Sequence, residues 1–127
     1  MTADDFRRLA LGMQGAIEKA HMGHPDFRAN GRIFATLQAD GRRGMVKVTP
    51  GEQRELMRSE PQAFTPASGA WGRQGCTMVQ LDAIDEATVR GALILAWEGT
   101  AAAQPAKRRS RAGGRRKGTT ARPKGGK

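Results

Sequence analysis

The chain has 127 residues, a net charge of +10, a single cysteine and no tyrosine. That length suits one small domain, and the lone Cys76 excludes an internal disulfide and is compatible with a reducing cytosol. No run approaches the ~18 apolar residues needed to span a bilayer, and the acidic, polar start Met1-Thr2-Ala3-Asp4-Asp5 is no secretory leader, so the expectation is a soluble cytoplasmic protein.

Thr2 is placed to cap a first helix, with Asp5 at its third position near the positive end of the helix dipole. Phe6, Leu9, Ala10 and Met13 then recur at helical spacing, while Gly12 and Gly15 weaken the end. Residues 18–37 read as strands broken at Gly23-His24-Pro25 and Asn30-Gly31, the latter a pair that tolerates the positive φ of a tight hairpin. The outgoing strand, Arg32 to Leu37, places Ile33, Ala35 and Leu37 on one face by simple alternation. Asp40-Gly41 marks another turn before a strand from Arg43 to Val48.

Thr49-Pro50-Gly51-Glu52 supplies an N-cap, a proline at the first helical position and a capping-box glutamate. The helix it opens carries Leu56 and Met57 and stops before Pro61; residues 61–75 read as loop. A strand from Cys76 to Leu81 turns Thr77, Val79 and Leu81 one way and Cys76, Met78 and Gln80 the other. The last helix begins at the N-cap Asp85, with Ile84 and Val89 placed as a hydrophobic staple. It buries Val89, Leu93, Ala96 and Trp97 and is expected to end at Gly99. The predicted order is α-β-β-β-α-β-α, an α+β domain whose small antiparallel sheet carries helices on one face.

All twelve acidic residues fall between Asp4 and Glu98, together with twelve basic ones, so residues 1–99 sum to zero. Residues 100–127 hold ten Lys/Arg, no acid, and no Val, Ile, Leu, Met, Phe or Trp. The division is therefore a folded domain over 1–99 and a disordered basic tail over 100–127. A cationic arm on a neutral body points to a polyanionic partner, DNA before RNA. Lys107, Arg108, Arg109, Arg111, Arg115, Arg116, Lys117, Arg122, Lys124 and Lys127 are the arm's candidate phosphate contacts. The arm has no aromatic residue to stack on bases, so its binding should tolerate any sequence. Arg122-Pro123-Lys124 is similar to part of an AT-hook, but Ala121 stands where an arginine would precede it. The competing readings are a tail that serves only localisation or solubility on a protein- or ligand-binding module, and RNA binding.

Several phrases resemble the MmcQ/YjbR family of small bacterial proteins. They are His24-Pro25-Asp26-Phe27-Arg28, Gly31-Arg32-Ile33-Phe34-Ala35-Thr36-Leu37, Val46-Lys47-Val48-Thr49-Pro50, Ala70-Trp71-Gly72-Arg73 and Ala96-Trp97. The resemblance runs from Asp4 to Trp97 and implies a frataxin-like α+β sandwich and DNA binding through a wing-like arrangement of strands, with nucleoid association as the corollary. Cys76 after Gly75 departs from a pattern in which a bulky aromatic is common.

Arg28, Arg32, Lys47 and Arg73 are the basic residues inside these phrases. Arg28 and Arg32 flank the Asn30-Gly31 turn, where paired arginines at a hairpin tip would meet DNA backbone as a wing; the plain alternative is solvated strand ends balanced by Asp26 and Asp40. Trp71 beside Arg73 is either a contact surface or a plug for the sheet. His21-Met22-Gly23-His24 has the spacing of two metal ligands, but only Asp26 stands near to complete a set, and a turn, with Asp26 fixing His24, is the expectation. Asp4, Asp5 and Glu18, diluted by Arg7, Arg8 and Lys19, do not make an acidic iron-binding ridge. No phosphate-binding glycine loop, nucleophile elbow or carboxylate pair is present, and nothing in the sequence activates Cys76. The expectation is a non-enzymatic protein without cofactor or metal.

Overall fold

A computed structural model describes residues 1–21 and 24–102, except for the side chains of His21 and Ala102. The expected disordered tail lies outside these residues from Ala103 onward, as does the turn at Met22 and Gly23.

Helix α1 (Ala3–Leu11) begins where the sequence places it. The Thr2 hydroxyl accepts from the Asp5 N–H at 3.1 Å, and the Asp5 carboxylate accepts from the Thr2 N–H at 2.9 Å. Four strands follow: β1 (Ile17–His21), β2 (His24–Ala29), β3 (Arg32–Leu37) and β4 (Arg43–Lys47). Helix α2 (Pro50–Ser59) repeats the reciprocal cap, with Thr49 and Glu52 exchanging bonds of 3.1 and 2.9 Å. The chain then forms β5 (Phe64–Pro66), α3 (Gly69–Arg73), β6 (Cys76–Gln80), a 3-10 turn over Leu81–Ala83 and helix α4 (Glu86–Ala102). The Asp85 carboxylate caps α4 by accepting from the Thr88 N–H at 2.8 Å.

The six strands form one antiparallel sheet in the order β1-β2-β3-β4-β6-β5. Helices α1 and α4 cover one face of it. Phe6, Leu9, Val89, Leu93 and Ala96 pack there against Phe27, Phe34, Val46 and Val79 to make the core. Phe6 lies over β4 so closely that a Cβ on Gly44 would stand 2.7 Å from its ring, which fixes glycine at that position. Gln53, buried on α2, donates to the carbonyls of Gly72 and Cys76 at 3.0 and 3.1 Å and ties α2 to α3 and β6.

The α+β class and the antiparallel sheet are as the sequence predicts, with four corrections. There are four strands between α1 and α2, not three, because β1 is an edge strand whose one large apolar side chain, Ile17, is half exposed. The segment expected to be loop over 61–75 contains β5 and α3, elements of three and five residues that are too short to show a period. A bulge interrupts the β2–β3 ladder, pairing Phe27 with Ala35 but Arg28 with Ile33. Phe34 therefore joins the core, while Ile33 leaves the face it would share with Ala35 and Leu37 by simple alternation. Finally, α4 runs through Gly99, which takes no left-handed φ, and is helical to Ala102, the last of the described residues. Thr100, 3% exposed, accepts from Asn30 Nδ2 at 3.0 Å and donates to the Trp97 carbonyl, so this part of the helix is pinned to the β2–β3 turn.

Candidate nucleic-acid interface

The uncovered face of the sheet is defined by its register. Lys19 of β1 lies opposite Asp26, Asp26 opposite Thr36, Thr36 opposite Met45, Met45 opposite Met78, and Met78 opposite Thr65 of β5. One row of side chains thus crosses all six strands, a width of about 24 Å at the usual strand spacing. Neighbouring rows add Ile17, Arg28, Ile33 and Lys47 on one side, and Arg43 and Gln80 on the other.

Charge is divided between the two sides of the molecule. The helical layer, counting α1, the 3-10 turn and α4 with its cap, holds Asp4, Asp5, Asp82, Asp85, Glu86 and Glu98 against Arg7, Arg8 and Arg90. Those three arginines are all engaged by carboxylates: Arg7 by Asp4 and Glu18, Arg8 by Asp5 and Glu86, and Arg90 by Glu86. The uncovered face has the opposite balance, with Lys19, Arg28, Arg43 and Lys47 against Asp26, which pairs with Arg28, and Asp40 in the adjoining turn, which pairs with Arg43. The zero sum of the domain conceals this asymmetry.

The sequence-predicted arginine pair is separated. Arg28 points to the uncovered face, where its guanidinium grips both oxygens of Asp26 at 2.8 and 3.1 Å. That grip raises the arginine further above its ordinary value. It also takes the Asp26 carboxylate, whose side chain is 5% exposed, for Arg28 and not for the expected contact with His24. Arg32 pairs with Ala29 on the turn side of the bulge and falls on the helical side. The turn is nevertheless as predicted, Asn30 and Gly31 both having positive φ.

Two predicted cations do come together. Arg32 and Lys47 line a cavity of about 270 Å³ at the end of the sheet, with Thr49, Glu52, Gln74 and Thr100. Leu95, Ala96, Gly99 and Thr100 of α4 close this cavity, so the last described turn of the helix lies beside Arg32 and Lys47. Arg73 ends α3, exposed, and is not among the residues lining that cavity, although its neighbour Gln74 is. The ten arm residues from Lys107 to Lys127 lie outside the described residues.

Cys76 is buried, and burial pushes its thiol above the ordinary value while nearby Lys47 pulls weakly the other way; the sulfur is therefore protonated at neutral pH. The Asp40 carboxylate is held below its ordinary range, chiefly by the Arg42 N–H and then by Arg43. His21 and His24 meet as the last pair of the β1–β2 ladder. Among the described residues no group of three His, Cys, Asp or Glu stands close enough to hold a metal ion, and no helix is long and apolar enough to cross a membrane.

The protein is thus an α+β domain with one sheet face left bare of α1 and α4, on which Lys19, Arg28, Arg43 and Lys47 outnumber the acids. Its sequence matches the YjbR family model over residues 11–98, and the chain belongs to that family. No curated protein matches it. Its fold is similar to the crystal structure of Deinococcus radiodurans protein DR2400, family domain DUF419. The TM-score is 0.62 at 21% sequence identity, covering 79% of this chain and 75% of that one.

Proposed function

We propose that the protein is a non-enzymatic DNA-binding protein in which residues 107–127 supply most of the affinity by neutralising phosphates. The observation that carries this reading is the partition of charge: the entire surplus of +10 lies after residue 99, in a segment without a single acid. The last described turn of α4 supports it, because it lies beside Arg32 and Lys47, and cations of both regions can then act on one stretch of backbone. The folded domain adds orientation, and an address at the nucleoid follows from the activity. Engaging about six to eight phosphates gives a slope of log K against log salt of roughly −5 to −7. The test is a mobility-shift titration of the full chain on duplex DNA over a range of salt. A slope near zero, or no binding at low salt, contradicts the reading.

A further inference from the structure

On the uncovered face, a groove of about 520 Å³ runs between β4, β6 and the start of α3, well inside the ~300–1,000 Å³ typical of ligand clefts. Met45 and Met78, cross-strand partners, form its floor, and Trp71 stands at its edge, 65% exposed. Three physical points bear on what fills it. A tryptophan this exposed on an element as short as α3 adds little to the core and offers a free aromatic face. Thioether side chains adapt to flat rings and make favourable sulfur–aromatic contacts. No acid lines the groove, while Arg43 and Lys47 stand two residues to either side of Met45 on the same face of β4, placing cations about 7 Å in each direction along the strand. The Asp40 carboxylate engages Arg43 from outside the groove.

We propose that this groove binds the unpaired bases of a single-stranded nucleic acid, with one base stacked on Trp71 over Met45 and Met78, and the flanking phosphates on Arg43 and Lys47. This rests on the nucleic-acid reading above and specifies the strand state that the folded domain prefers. Charge complementarity selects a polyanion over an apolar protein surface, since the apolar strip is narrow and bracketed by cations. Shape selects a single strand over a duplex. A face six strands and about 24 Å wide exceeds the ~12 Å major groove of undistorted B-DNA, whereas splayed bases lie down on a sheet and stack on its aromatics. The basic segment, which has no aromatic residue, supplies attraction to any strand, and the groove supplies the preference for unpaired bases.

The test uses the full chain and follows tryptophan emission and anisotropy with oligothymidylate and oligouridylate of about 12 nucleotides, an abasic strand of equal length, and a duplex. The expected result is tighter binding of both base-bearing strands than of the abasic one. Trp71→Ala is expected to weaken oligothymidylate binding by about 5- to 100-fold, with the salt slope and duplex affinity unchanged, and Trp71→Phe to retain most of the affinity. Because Trp71 is exposed, its replacement leaves the melting temperature close to that of the parent, which the same samples report. Equal binding of abasic and base-bearing strands, or no effect of Trp71→Ala, overturns the groove assignment while duplex binding keeps the broader reading intact. A Trp71 response to anionic vesicles or to self-association, with none to oligothymidylate, also overturns it. Failure of every nucleic acid to bind at low salt overturns both.

Discussion

The two faces of this one sheet teach different things about the chain. On the covered face Phe27, Phe34, Val46 and Val79 lie under α1 and α4 and hold the fold. On the other face Lys19 and Lys47 are exposed and Arg28, Met45 and Met78 partly so, with Trp71 of α3 beside the two methionines. Substitutions that respect this division change stability without changing binding on one side, and binding without changing stability on the other.

The sharpest break in stability is expected at Leu93→Ala on the covered face, because Leu93 is fully buried against the sheet. The loss is about 2–5 kcal/mol, read as a fall in melting temperature with the salt slope of DNA binding unaltered. Gln53→Ala comes next. It strips two hydrogen bonds from the buried carbonyls of Gly72 and Cys76, at a cost of about 1–3 kcal/mol, and hydrogen exchange should rise first in α3 and β6. Lys47→Ala, on the exposed side, is expected to lower the magnitude of the salt slope by about 1 while shifting stability by no more than ~0.5 kcal/mol.

The smallest effect is one of pH. Asp5, Asp40 and Asp85 are held below their ordinary carboxylate value, Asp5 chiefly by the Thr2 N–H, Asp40 by the Arg42 N–H and Asp85 by Thr88. A carboxyl with a depressed folded-state value contributes stability above its unfolded value and loses it as pH falls through the folded one. The melting temperature should therefore hold from neutrality down to the ordinary carboxylate range and then decline below about pH 4. Asp85→Asn should make that decline shallower.

Features set by neighbours in sequence were legible before the fold. The caps at Thr2, Thr49 and Asp85 and the Asn30-Gly31 turn each follow from a local rule satisfied by two or three residues. The faces of β6 were legible too, since Met78 alternates with Val79 without a break. What escaped depends on partners distant in sequence. The bulge at Phe34 reverses Ile33 because of how β3 meets β2, and no pattern within β3 announces it. That same reversal separates Arg28 from Arg32, which sequence proximity had joined. Gly99 reads as a helix end by type, but the bond between Asn30 and Thr100 carries α4 another turn. The groove was half visible, for Trp71 and Arg73 stand together in sequence, but Met45, Met78 and Arg43 meet Trp71 only in the folded sheet.

Because Thr100 is buried and α4 reaches Ala102, a chain ending at Ala102 keeps every described contact while losing all ten basic residues of the arm. Titrating duplex DNA with the full chain and with this shortened one, across salt, bears most directly on where phosphate affinity resides. The account predicts a slope of roughly −5 to −7 for the full chain and about −2 or shallower for the shortened one. Equal slopes and affinities for the two would contradict it.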